Sequence, residues 1–270
     1  MTCTRLALAT VLALAFTPLA AQDFQKGLTA AKAGDFATAL QEWRPLAEAG
    51  DADAQRNLGI MYDSGQGVAQ NYAEAAKWYE LAAEQGNVAA QTNLGKIYMD
   101  GRGIPQNYVE AAKWYELAAE QGDAEAQFIV GVGYDKGVGV SQSYETAAWW
   151  YLLAAQQGQA NAQYNIGQLY LFGEGVPKNL VNAAKWLQLA AKQGNPGAQY
   201  NLGLLYYYGD GVLQDNLMSH MWLNVASANG NNSAGEPRDA KASQMTSAEI
   251  SKAQAMAREC MNSDYTKCGY

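Results

Sequence analysis

Few residues in this chain could do chemistry, and they do not converge. His220 is the single histidine, and its ring could in principle serve as a general base near neutral pH. No pattern of nucleophile and orienting acid surrounds it, so a packed or hydrogen-bonded histidine is the expectation. The cysteines are Cys3, Cys260 and Cys268. With one histidine they do not make a usual zinc set, so neither a metal nor a cofactor is expected. The five glycine-x-glycine loops, such as Gly65–Gly67, superficially resemble dinucleotide-binding turns. They follow helical rather than strand patterns, and a turn explains them better. No catalytic residue is expected.

The elements that would position such groups are repeated. The stretch EAAKWYELAAEQG occurs at Glu74–Gly86 and again at Glu110–Gly122, 36 positions on. Cutting after each terminal glycine gives five blocks without a gap: 51–86, 87–122, 123–158, 159–194 and 195–230. Trp78, Trp114, Trp150, Trp186 and Trp222 share one repeat position, and Tyr62, Tyr98, Tyr134, Tyr170 and Tyr206 another. Each block predicts two helices. Ala54, Leu58 and Tyr62 lie at i, i+4 and i+8 on one face of the first. A second runs from about Tyr72 to Gln85, with small alanine pairs for tight packing and Trp78 filling space between neighbours. Gly59 inside the first helix, repeated at Gly95, Gly131, Gly167 and Gly203, implies close approach by another helix. A single helix pair cannot bury its apolar side, whereas stacked pairs can. The fold class is therefore all-α, an α-solenoid of helix-turn-helix repeats.

These residues resemble the Sel-one-like repeat family, relatives of the tetratricopeptide repeats. The family's pattern of A-x-x-x-L-G-x-x-Y, G-x-G-V and A-A-x-W-x-x-x-A-A-x-x-G stands here as AQRNLGIMY, GQGV and AAKWYELAAEQG, with four further copies. The resemblance spans residues 51–230 and implies a right-handed solenoid that acts as a protein-interaction scaffold. It implies envelope or host proteins as partners: envelope sensors, secretion or polysaccharide-assembly components, or host proteins if the chain is released. Some members are described as penicillin-binding or β-lactamase-like, yet no serine here has a lysine three residues on, as S-x-x-K requires. A cell-wall-active enzyme and a peptide- or glycan-binding module stand as the rival classes.

Residues 22–50 resemble a tetratricopeptide-type hairpin broken at Gly34–Asp35, with Trp43 on its second helix. In residues 231–270, Thr246 and Glu249 form a capping box, with Met245 and Ile250 placed for a hydrophobic staple. A capping helix from about Ser247 to Cys260 follows, and a Cys260–Cys268 disulfide is expected to pin the tail. Residues 1–21 have a lone Arg5, an apolar run and small residues ending at Ala21, the layout of a cleaved signal peptide. The expected location is the periplasm, or the medium if released. Cleavage would remove Arg5 and no acid, moving the net charge from −8 to −9. Such acidity gives no footprint for nucleic acid. No membrane insertion after cleavage, and a monomer, are expected.

Positions that refuse to repeat are free to recognise a partner. Repeat position 6 reads Arg56, Thr92, Phe128, Tyr164 and Tyr200. On the same helix face position 10 ends in Gln168 and Leu204, and position 13 in Leu171 and Tyr207, followed by Phe172 and Tyr208. The later copies thus form an aromatic strip, Phe128–Tyr164–Tyr200, flanked by Phe172, Tyr207 and Tyr208. First helices of solenoids commonly line the binding surface. The alternative is that these rings pack against the cap and neighbouring helices.

Overall fold

The computed structural model describes residues 23–269, so the leader expected at 1–21 lies outside the described residues. Among the described residues every regular element is helical. The N-terminal hairpin is α1 (Phe24–Lys32) and α2 (Phe36–Glu48). The repeats supply α3 (Ala52–Ser64) and α4 (Tyr72–Glu84), α5 (Val88–Asp100) and α6 (Tyr108–Glu120), then α7 (Ala124–Lys136) and α8 (Tyr144–Gln156). They continue with α9 (Ala160–Phe172) and α10 (Leu180–Ala191), then α11 (Pro196–Tyr208) and α12 (Asn216–Ala228). A 3-10 turn at Asn232–Ala234, α13 (Gly235–Ala242) and α14 (Ser247–Asn262) end the chain. Helical hairpins follow in chain order, with α1 to α3 packed each on the next and α5 to α12 likewise, the arrangement of an α-solenoid. The chain divides into two compact units, Met1–Ala82 and Ala83–Tyr270.

Local chemistry fixes each helix boundary. The first residue of each block caps its first helix: Asp51, Asn87, Asp123, Gln159 and Asn195 accept from the backbone N–H three residues on. Such caps contribute about 1 kcal/mol each. The first glycine of every G-x-G loop then ends that helix in the left-handed region. The second glycine has a different duty. A Cβ on Gly139 would lie 2.1 Å from the carbonyl oxygen of Tyr108, and one on Gly175 2.2 Å from the carbonyl carbon of Tyr144. The loop of one repeat therefore rests directly on the start of the second helix one repeat earlier. Within the first unit, Gly67 meets Phe36 in the same way.

The glycine inside each first helix faces the second helix of its own repeat. A Cβ on Gly131 would come within 2.6 Å of the Tyr151 ring, and Tyr79, Tyr115, Leu187 and Leu223 cover Gly59, Gly95, Gly167 and Gly203. These five covering side chains share one repeat position and are buried. The tryptophans take shallower places than expected. Trp150 and Trp222 are buried, whereas Trp78, Trp114 and Trp186 are only half-buried. The deep position between helices belongs to the residue next to each tryptophan, which already fills the space over the glycine.

A polar ladder ties one repeat to the next. Gln91, Gln127, Gln163 and Gln199 are buried, and each side-chain N–H donates at 3.1 Å to a carbonyl of the preceding hairpin: Ala83, Ala119, Ala155 and Ala191. Their amide oxygens each accept at 2.8 Å from Gln121, Gln157, Gln193 and Asn229. Gln55 donates to the carbonyl of Ala47 within the first unit. In the cap, the Thr246–Glu249 capping box is formed, and α13 and α14 pack on α12. Cys260 and Cys268 are joined in a disulfide. Between them Tyr265 donates to the side-chain oxygen of Asn229, so the tail closes the last rung of the ladder.

Replacing Gln127 by leucine keeps the volume but removes one donor from the Ala119 carbonyl and one acceptor from the Gln157 amide. We expect a loss of about 1–3 kcal/mol in urea unfolding. Gln142→Leu, at an exposed glutamine that donates only within its own repeat, to the Asp135 carbonyl and the Tyr144 hydroxyl, should lose less than half as much.

Candidate functional site

The strip residues divide into those that hold the fold and those that face solvent. Phe128 lies 6.1 Å from the Tyr151 ring, centroid to centroid, and packs on the core formed by α8 and α9. The Tyr164 ring covers Gly197 of α11, where a Cβ would come within 2.8 Å, and its hydroxyl bonds Gln168. Burial raises the Tyr164 phenol above its ordinary value. Leu171 packs on the C-terminal core, and Tyr200 against Leu223, Ala226 and Ala234. Phe172 and Tyr208 are the exposed ones, at 62 % and 66 %. The three position-6 rings thus do not form one free surface. Phe128 meets the second helix of its own repeat, Tyr164 the next repeat, and Tyr200 the last second helix and the cap.

A groove remains where the last repeat meets the cap. Tyr200, Leu204, Tyr207 and Tyr208 of α11 form one wall, and Asn232, Glu236 and Pro237 belong to the other, around a cavity of about 460 Å³. Tyr207 is fixed from behind: the Lys241 ammonium sits 3.8 Å from its ring centroid and donates to the Tyr207 carbonyl at 3.4 Å. Lys241 is buried, and that burial lowers its pKa. The cation–π contact therefore holds one aromatic wall, and Tyr208, its ring 4.7 Å from that of Tyr207, stays exposed beside it. The cap wall was not legible in the sequence, because it lies beyond the 36-residue period that made variation visible.

His220 is buried in α12, with Nδ1 2.8 Å from the Asn224 amide nitrogen. Burial first, and Arg238 second, lower its pKa, against a smaller opposing effect of Asp239. The ring is thus packed and hydrogen-bonded at the junction with the cap. Among the described residues no three His, Cys, Asp or Glu side chains converge as a metal site. Nor is any helix among them long and apolar enough to cross a membrane.

Periodic hairpins, a buried amide ladder and a closed cap define a helical-repeat protein. The sequence matches the protein-family model for the Sel1 repeat at residues 52–87, 88–123, 124–159, 160–195 and 196–231, and the chain belongs to that family. The matches begin one residue after the block boundaries read from the sequence. Two solved structures are similar. One is c5321, a protective antigen of uropathogenic Escherichia coli strains with an SLR fold, at 31% identity and TM-score 0.74 over 90% of this chain. The chain spans 57% of that protein's length. The other is a Sel1 repeat protein from Oxalobacter formigenes, at 36% identity and TM-score 0.69, covering 78% of this chain and 84% of that one. Comparison with curated proteins gave no match. Sel1 repeat proteins are generally non-catalytic scaffolds that bind protein partners.

Two outcomes follow from this geometry. Tyr164→Ala opens space against Gly197 and should lose about 1–3 kcal/mol in thermal or urea unfolding, whereas Tyr208→Ala should stay within about 0.5 kcal/mol. The pH dependence has a definite sign. The folded pKa of His220 lies below its unfolded value, so on acidification the unfolded chain takes up a proton that the folded chain resists. Stability should therefore fall as pH drops through the ordinary imidazole range, and His220→Gln should reduce that slope in melts between about pH 7 and pH 5.

Proposed function

We propose that this chain is an exported scaffold, working in the periplasm or after release, whose partner protein docks in the groove between α11 and the cap. The groove itself carries this reading. It is where the aromatic positions that escape the repeat pattern, Tyr207 and Tyr208, border an open cavity instead of a further hairpin. Tyrosine suits a contact surface because its ring offers area and its hydroxyl a hydrogen bond. Export is supported by the leader-like residues 1–21 and by a disulfide in the tail. The similar protein from uropathogenic Escherichia coli is a protective antigen, which agrees with an exported role. The absence of converging catalytic groups favours binding over turnover.

The test places a photo-crosslinking amino acid at position 208 of the full chain expressed in bacterial cells, with position 113 on a solvated helix face as the control. A discrete protein adduct at 208, absent at 113 and lost in a Leu204→Glu background, is expected. An adduct pattern no different from that at 113 would sink the groove as the docking site. Fractionation of the same cells tests export: mature chain beginning at Gln22 should appear outside the cytoplasm, and retention of residues 1–21 in the cytosol would refute it.

A further inference from the structure

We propose that the junction between α8 and α9 is a second, separate binding site, which takes a bulky apolar side chain of a protein partner flanked by lysine or arginine. It stands independently of the α11–cap groove. Three second helices carry a polar pair at repeat positions 27 and 30: Lys77 and Glu80 in the first copy, Lys113 and Glu116 in the second, Lys185 and Gln188 in the fourth, whereas the fifth has Met221 and Asn224. The third copy has Trp149 and Leu152 instead. Trp149 is 54 % exposed, and its ring meets buried Trp150 edge-on at 4.3 Å, so it is both accessible and held. A fixed, exposed tryptophan beside a cavity is the residue type and setting that dominates binding energy at interfaces.

The cavity here is far larger than its counterpart one junction earlier. Trp149, Leu152, Tyr170 and Val176 line an open space of about 560 Å³, with Glu145 and Thr146 also at its wall. That volume lies within the usual range of ligand pockets, roughly 300–1,000 Å³. One junction earlier, Ala112, Glu116, Val130, Tyr134 and Val140 occupy matching repeat positions around only about 20 Å³. There the Tyr134 hydroxyl donates to Glu116 at 2.8 Å. Tyr170 holds the equivalent position but finds Leu152 where Glu116 would be, so that acceptor is missing.

Charge selects the occupant. Glu145 is exposed at the wall, and exposed Glu174 sits on the loop that supplies Gly175 and Val176. Neither makes an ion pair among the described residues, and no lysine or arginine lines the cavity. An apolar floor with an acidic rim fits an apolar anchor between cationic neighbours, whose charges also favour the tryptophan face.

The experiment titrates the isotopically labelled mature chain with acetyl-Gly-Lys-Phe-Lys-Gly-amide and follows the Trp149 indole N–H together with the backbone amide resonances of Tyr170 and Val176, which every variant retains. A saturable shift is expected, with binding at least about 10-fold weaker for the Glu-Phe-Glu counterpart and for the Trp149→Lys, Leu152→Glu double variant. That variant carries residues the first two copies already use, so it should fold, and circular dichroism checks this. Tyr208→Glu should leave the titration unchanged, which keeps failure here distinct from failure of the groove. The proposal is overturned by no saturable shift, by equal affinity for both peptides, by an unaffected double variant, or by tighter binding of chitotetraose, which would assign a glycan site.

Discussion

A buried side-chain amide that must find partners on two helical hairpins is the constraint from which the rest of the second unit follows. Gln127 cannot be withdrawn from water unless its N–H meets the carbonyl of Ala119 and its oxygen meets the Gln157 amide. Apolar contact between alanine-rich helices is non-directional and would tolerate sliding. The amide bonds do not tolerate it, because a shift along either helix leaves a buried polar group unpaired. Register is therefore set by polarity and adhesion by apolar burial. The second glycine of each loop adds a steric stop: Gly175 lets the backbone rest on Tyr144, where any side chain would collide.

Much of this was legible in the sequence because both kinds of contact recur every 36 residues. The helix pairs, the loop glycines, the capping box and the disulfide-bonded cysteines all have local signatures. The helix glycine announced a close approach, although its partner proved to be a tyrosine or leucine of the same repeat, beside the more conspicuous tryptophan. The glutamine ladder had a signal too. Ala54–Gln55 recurs as Ala90–Gln91, Ala126–Gln127, Ala162–Gln163 and Ala198–Gln199, and a polar residue as constant as the framework tryptophan is expected to be buried and paired.

Which of the strip residues pack and which meet solvent was not legible. Whether Tyr164 meets solvent or Gly197 depends on how far one hairpin is rotated against the next, and helical spacing within a repeat does not encode that rotation. The groove beside Tyr208 was hidden for another reason, since half of it comes from a cap with no periodic counterpart. Both proposed recognition sites fall where the repeat rule is suspended: at the last repeat, where the cap supplies a wall, and at the third, where Trp149 and Leu152 replace a polar pair. The framework can carry such departures because the positions that vary are not those that hold the ladder.

The ladder also bears on how the gene can change. Every rung joins one hairpin to the one before it, using residues 8 apart across the junction and about 30 apart within a repeat. Insertion or loss of a whole 36-residue module between Gly86 and Gly194 would leave each remaining rung with a partner of the same kind, whereas a shorter insertion inside a helix would break the amide pairing around it. The identical thirteen residues at Glu74–Gly86 and Glu110–Gly122 are what a duplication of such a module leaves behind. Length, in this architecture, is a heritable variable that recombination can alter in whole steps while the cap at Tyr265 stays in place.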